Sequence, residues 1–358
     1  MAYWRHPGSV RENGAQMPSR RKPAILLAFA GLLATVVIAA PLTHADETIV
    51  LRFSHVVAVD TPKGRAAEFF KRRAEELTGG RVRVEIYPNS TLYKDREEIE
   101  ALQLGAVQML APSLSKFGPL GVKEFEAFDL PFIFSDHAAL RKVTQGGVGK
   151  ALLAKLEPRG ILGLAYWDNG FKSFSAQRPL RAPADFRGLK MRVQASAVLE
   201  AQARALGAHP VVLAFSDVYP ALRAGVVSAT ENPISNLYTQ RMHEVQRHVT
   251  VTNHGYLGYA TIVNKRFWEG LPRDVRAQLE RAMDEATVYA NRVALEKNEE
   301  DLARVRAAGT TEVHVPTAAE RLALKRALLP VHAEMAERIG RDLLTAMYRA
   351  TAFDPDRL

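Results

Sequence analysis

From Pro272 to Ala308 no glycine or proline interrupts a helical pattern thirty-seven residues long. At ~1.5 Å per residue such a helix reaches roughly 55 Å. That is more than the width of one small domain, so the helix is expected to lie across two. The same stretch admits a second arrangement, two helices meeting at a bend near Ala290-Asn291. More helix is expected over 317–351.

The rest of the chain alternates strand and helix. Thr48 to Phe53 is a near-continuous apolar run, suited to a buried parallel strand. Ala67, Phe70, Ala74 and Leu77 then recur at helical spacing, and Gly79-Gly80 ends the helix. Arg81 to Tyr87 alternates as a half-exposed strand does, and a second helix is expected from Asp95 to Leu104. Strands follow at 106–110 and 161–167. After Trp167 the pattern restarts, with strands expected at 172–176, 189–193 and 209–212. Helices should follow Ser196 up to Gly207 and Ser216 up to Gly225. Val249–Thr252 and Tyr259–Val263 read as strands returning across a domain boundary. This rhythm predicts α/β domains with parallel sheets, and 358 residues suffice for two of them.

The first 45 residues read as an export signal. Ser19-Arg20-Arg21-Lys22 is basic, the apolar run Ala24 to Ala40 follows, and Thr43-His44-Ala45 offers small residues for cleavage. An uncleaved anchor is the alternative, since seventeen apolar residues lie at the short edge of a membrane span. Arg20-Arg21 raises the twin-arginine route, and Met17 is a possible start. The chain has no cysteine, hence no disulfide, no thiol ligand and no lipid attachment there. Of the net charge of +9, the signal carries four. The remainder is scattered without an aromatic-interleaved basic patch, which argues against nucleic acid as a partner.

Enzyme signatures fail one by one. Gly146-Gly147-Val148-Gly149-Lys150 resembles a phosphate loop, but Thr144 stands where its first glycine belongs and Ala151 where a magnesium-binding hydroxyl belongs. His243-Glu244 is followed by Arg247 where a zinc motif needs histidine. There is no dinucleotide fingerprint after a strand and no GxSxG elbow. No cofactor and no metal site are expected. What stands out instead is Arg192, in the middle of the apolar strand 189–193, with Asn232 forty residues later. A planar, permanently charged fork on a rigid strand suits a bidentate grip on a carboxylate. The plainer reading is an ordinary ion pair with a neighbouring Asp or Glu.

These residues sit in a set of segments in a definite order: RFSHVVAVDTPKG (52–64), YPNSTLYKDREEIEALQLGAVQMLAPS (87–113), FDLPFIF (128–134), GLKMRVQAS (188–196), AFSDVYPALRAGVV (214–227), ENP (231–233) and TNHGYLGY (252–259). As a set they resemble the periplasmic solute-binding proteins of tripartite ATP-independent periplasmic (TRAP) transporters, over about residues 48–350. HVVAVDTPKG, LAPSLSKFGPLGVKEFE and WDNGFKSF resemble the branch that binds four-carbon dicarboxylates such as malate, succinate and fumarate. The resemblance implies a two-lobe α/β fold with crossing strands and a long domain-spanning helix. Residues 1–45 would be the signal peptide, 46–169 plus 258–297 the first lobe, and 170–257 plus 298–358 the second. The implied protein is a periplasmic, monomeric receptor that delivers a small organic acid to the small and large membrane subunits.

By the same resemblance Arg192 would pair with a ligand carboxylate and Asn232 would hydrogen-bond the same end. A diacid needs a second cation, because desolvating a carboxylate costs several kcal/mol. Lys172 is the expected one. His55, at the end of the first strand, would be a polar contact, Ser113 a hydroxyl donor and Phe215 an aromatic wall. Asn169, Lys63, Gln194 and Tyr256 are further candidates. His209 to Leu213 is more apolar than the family pattern, and Ala229-Thr230 replaces a more usual Gly-Gln before ENP. Alternatives are a receptor for a 2-keto, aromatic or sugar acid, a ligand sensor for a membrane kinase, or a secreted lyase or hydrolase using His55 with Asp95.

Overall fold

The computed structural model describes residues 48–95 and 97–357; the proposed export signal lies outside them. Nine strands form one mixed sheet: β1 (Ile49–Ser54), β2 (Val82–Tyr87), β3 (Met109–Leu110), β4 (Ile161–Ala176), β5 (Lys190–Val193), β6 (His209–Val212), β7 (Ala229–Asn232), β8 (His248–Asn264) and β9 (Glu312–His314). Their order is β2-β1-β3-β8-β4-β7-β5-β6, with β9 beside β8.

Strands β1, β2 and β3 are mutually parallel, as are β5, β6 and β7. The long strands β4 and β8 run antiparallel between the two sets. Because β3 opposes β8 and β7 opposes β4, the two parallel sets point at each other. Their C-terminal ends converge over the middle of the β4–β8 ribbon. Ser113 bridges Tyr259, which pairs with Trp167, and Asn232 pairs with Ser173. The gap between the sets is therefore six residues of β4, about 20 Å of strand. In open α/β sheets the carboxyl ends of strands are where ligands bind.

The two strands expected on either side of Asn169-Gly170 are one strand, β4, and the two expected in 249–263 are one strand, β8. Register shifts at Gly163/Ala165, Asp168/Gly170 and Lys172/Phe174 let the pairing continue through the polar midsection. Gly170 makes one of these possible with φ near +145°, which side chains rarely adopt.

The long helix is continuous from Arg273 to Ala308 and ends at Gly309, whose φ of 67° is left-handed. No bend divides it at Ala290-Asn291. Val275, Leu279, Ala282, Met283, Ala286, Ala290, Val293 and Ala294 make its buried stripe. Polar clips secure it to β4 and to the start of the helix Ile234–Thr239 that follows β7. Trp167 Nε1 donates to Thr287 (3.0 Å), and Asn298 joins the Asn169 carbonyl (2.6 Å) to the Ser235 amide (2.9 Å). The helix expected from Asp95 begins only at Glu98. The C-terminal helical stretch is cut at Pro330 and Gly340 into Ala318–Leu328, Pro330–Ile339 and Arg341–Thr351. Helices His137–Thr144 and Gly147–Ala154 were not foreseen, and the second absorbs the glycine-rich segment.

Candidate functional site

Strand parity sorts the candidates. Successive residues of a strand face opposite sides of the sheet. Arg192 pairs with Thr230, so it shares the face of Thr230 and Asn232. The Asn232 amide lies 3.4 Å from the Thr230 hydroxyl, as that placement requires. Glu231 projects from the other face. Lys172 binds Glu231 at 2.8 Å and lies 3.7 Å from Asp129. The expectation that Lys172 supplies the second cation beside Arg192 is thereby corrected: its ammonium points to the opposite face and is already neutralised. His254 completes that buried cluster, 2.9 Å from Glu231 and stacked on Phe174. Burial opposes ionisation of Glu231, but Lys172 and His254 outweigh it and hold the carboxyl at about 2. Burial pushes Asp129 up to about 7 against the pull of Lys172.

On the Arg192 face the guanidinium is 1 % exposed. Its Nε and Nη2 donate to the Leu213 carbonyl at 3.2 and 2.9 Å. Among the described residues no carboxylate lies within salt-bridge distance of it, so the ordinary ion-pair reading fails. Burial lowers its affinity for a proton, and only the more distant Asp95 and Glu231 oppose this. Phe215 lies beneath it, 6.0 Å from the guanidinium carbon to the ring centre.

Across the gap Lys63 is equally buried. Its ammonium donates to the Ala111 carbonyl (2.9 Å) and sits 3.9 Å from the centre of the Tyr259 ring. It too has no salt-bridge partner among the described residues, because Lys116 takes the neighbouring carboxylates Asp95 and Glu98. Burial pulls Lys63 down to about 7; Glu98 resists and Lys116 adds to the fall. The Tyr259 hydroxyl lies beside the Asn236 side chain, which is 3.5 Å from Asn232. Lys63, Tyr259, Asn236 and Asn232 thus form one contiguous polar row.

His55 follows β1; the Val57 backbone lies beside its ring, and no side chain among the described residues hydrogen-bonds either nitrogen. Burial, aided by the charge of Lys63, holds it at about 3, so the imidazole is neutral. The side-chain oxygen and nitrogen of Asn169, buried in the midsection of β4, are likewise unpartnered among the described residues. Unsatisfied buried polar atoms are costly, and a cleft whose inner atoms lack partners is built to receive some. Ser113 accepts from Gln194 at 2.8 Å, joining the two strand sets. Tyr256 stands apart: its hydroxyl donates to Asp168 at 2.7 Å and its ring packs on Phe134. A His55–Asp95 pair does not form, since Asp95 binds Lys116 and the Phe215 amide. A cleft of about 450 Å³ opens beside Arg192, lined among others by Asp95, Ile99, Lys116, Leu120, Gln194, Val212 and Leu213; Lys63, His55, Asn169 and Asn232 stand outside its lining. The apolar departure noted in 209–213 forms part of its wall.

Sequence reasoning missed Tyr259, Asn236 and the Asp95–Lys116 pair. Asn236 was findable, lying four residues beyond Asn232 in the first turn of the helix Ile234–Thr239. Lys116 is 21 residues from its partner, and nothing local announces the pairing.

Residues 53–339 match the family model described as bacterial extracellular solute-binding protein, family 7, DctP. The chain is 65 % identical over 306 residues to the C4-dicarboxylate-binding periplasmic protein DctP of Rhodobacter capsulatus, covering 86 % of this chain and 92 % of that one. A TRAP periplasmic solute-binding protein from Shewanella oneidensis, crystallised with succinate, is 40 % identical with a TM-score of 0.83, covering 85 % of this chain and 99 % of that one. Another from Pseudomonas aeruginosa, crystallised with L-malate, is 45 % identical with a TM-score of 0.78, covering 80 % and 99 %. The chain therefore belongs to family 7 of the bacterial extracellular solute-binding proteins, the DctP family, and is a TRAP-type solute receptor rather than an enzyme.

Proposed function

We propose that this receptor captures a four-carbon dicarboxylate, with one carboxylate on Arg192 and Asn232 and the other on Lys63. The observation carrying this reading is the pair of buried cations without salt-bridge partners, one from each strand set. A buried charge left unpaired costs several kcal/mol, and a diacid would relieve both. Neutral His55 and Asn169 and the Ser113 hydroxyl complete the polar lining, and Phe215 backs Arg192. Gln194 supports Ser113, while Tyr256 supports the floor through Asp168. The names of the relatives and the succinate and L-malate in the neighbouring structures point the same way.

In this reading residues 1–45 are removed on export and the protein works as a periplasmic monomer. Residues 46–169 with 258–297, and 170–257 with 298–358, act as two lobes. The ligand contacts both, so it favours their approach. The liganded form then docks on the small and large membrane subunits.

Calorimetric titration with succinate, malate, fumarate and a monocarboxylate tests the proposal. The diacids should bind far more tightly than the monoacid. Lys63→Ala should weaken diacid binding about a hundredfold, in line with loss of a desolvated charge pair. Lys172→Ala, if folded, should change it by less than about threefold. Equal affinity of mono- and diacids, or an unaffected Lys63→Ala variant, would remove the second cation from the reading.

A further inference from the structure

We propose that Asp95 is a positioning residue that clasps the cleft and, through the 213–215 turn, holds the Arg192 fork on its ligand. It lies in the connection between β2 and the helix Glu98–Gln103, at the end of the first strand set. One carboxylate oxygen binds the Lys116 ammonium. The other accepts the backbone N–H of Phe215 at 2.6 Å, from a residue 120 positions away, in the short helix Phe215–Asp217 that follows β6. Two residues before that amide is the Leu213 carbonyl, which orients Nε and Nη2 of Arg192. One short turn is therefore held from across the cleft at its amide and directs the binding cation with its carbonyl.

Two other bonds cross the cleft nearby. Lys94–Asp217, at 3.2 Å, joins side chains 55 % and 46 % exposed and contributes little. Gln194 to Ser113 is a neutral pair. The Asp95 bond is charge-assisted and nearly buried, its side chain 12 % exposed, so it is the strongest of the three. Lys116 gives the clasp its reversibility. It stays on the same side of the gap as Asp95, so opening the cleft costs Asp95 one hydrogen bond without stranding a bare carboxylate. The resting position of Asp95 is thereby preset for the next closure.

This inference rests on the diacid-receptor reading, and the two fail separately. Stopped-flow binding of succinate to the purified protein is compared for wild type, Asp95→Asn, Asp95→Ala and Lys94→Ala. The chain lacks cysteine, so Val59→Cys with Val226→Cys, both exposed sites, adds a fluorescent distance reading across the gap. Asp95→Ala should raise the dissociation rate about tenfold, as loss of one charge-assisted bond would. The association rate should change less than about threefold, and the labelled, liganded protein should spend more time open. Asp95→Asn keeps an acceptor for Phe215 without the charge and should fall between. It carries the test if Asp95→Ala does not fold. Lys94→Ala should match wild type. A wild-type dissociation rate in Asp95→Asn and in any folded Asp95→Ala overturns the clasp, as does an equal effect of Lys94→Ala. Absence of succinate binding by wild type overturns the receptor reading instead.

Discussion

Lys63 and Lys172 are equally buried, each 1 % exposed, yet their surroundings give them opposite roles. Lys172 faces Glu231 and Asp129 and has its counter-charge built in. Removing it strands Glu231 in the interior, so Lys172→Ala should cost about 3–5 kcal/mol of stability, read by urea unfolding. A loss under about 1 kcal/mol would mean that water reaches the cluster. Lys63 faces only a carbonyl and an aromatic ring, and burial brings it down to about 7. A ligand carboxylate would restore its proton. Below pH 7 both free and bound forms carry the charge, and above it binding must take up a proton. Succinate affinity should therefore fall above pH 7 by up to about tenfold per unit. Calorimetry in buffers of different ionisation heat should register that uptake at pH 8. Uptake that persists in Lys63→Met would assign the proton elsewhere.

Among the elements, β4 and β8 decide the site. The residue pattern suggests four short strands, because Asn169-Gly170 and Thr252 to Gly255 interrupt the apolar runs. In the fold these interruptions are bulged positions within two long strands, in the stretch between the two strand sets. Gly170 joins a close approach to a left-handed backbone: a Cβ would meet Asn298 Nδ2 at 2.7 Å, with φ near +145°. Gly170→Ala should cost about 1–3 kcal/mol, and the displaced Asn298 should loosen its clips to Asn169 and Ser235. An unchanged urea midpoint would show that the ribbon relaxes around the methyl group. The long helix was legible because a 36-residue run without a breaker has few alternatives. The two-residue β3 was overestimated, because Ala106 to Gln108 are apolar enough for a strand but have no complete partner ladder.

For the molecule as a whole, pH acts through several buried groups. His55 and His332 are held neutral by burial, at about 3 and about 4, and burial lowers His254 as well. At pH 7 all three are neutral whether folded or unfolded. As pH falls below ~6.5 the unfolded chain takes up protons that the folded chain refuses, so stability declines by about 1.4 kcal/mol per unit per group. Glu231, held at about 2, adds a further loss below its ordinary carboxyl range. Asp129, raised to about 7, works the other way, since its folded form keeps a proton that the unfolded chain releases above ~4. Burial raises the Glu98 and Asp301 carboxyls as well, but the three histidines act from the higher pH, so the urea midpoint should fall from pH ~6.5 toward ~5. His55→Asn should make that slope shallower. A flat or rising profile would place water beside these rings.

Local information alone determined the class of this protein: alternating strand and helix periods, an unbroken helix too long for one small domain, and an arginine placed inside an apolar strand. Each is a property of neighbours along the chain, where periodicity and propensity act. That Lys172 faces Glu231 rather than the Arg192 side of the sheet was a tertiary decision. It depends on the register of β7 against β4 and β5, and a one-residue difference in parity moves a side chain to the other face. The Asp95–Lys116 pair and the Phe215 amide it reaches are likewise joined only when two strand sets meet end to end. Their sequence separations of 21 and 120 residues leave no local trace.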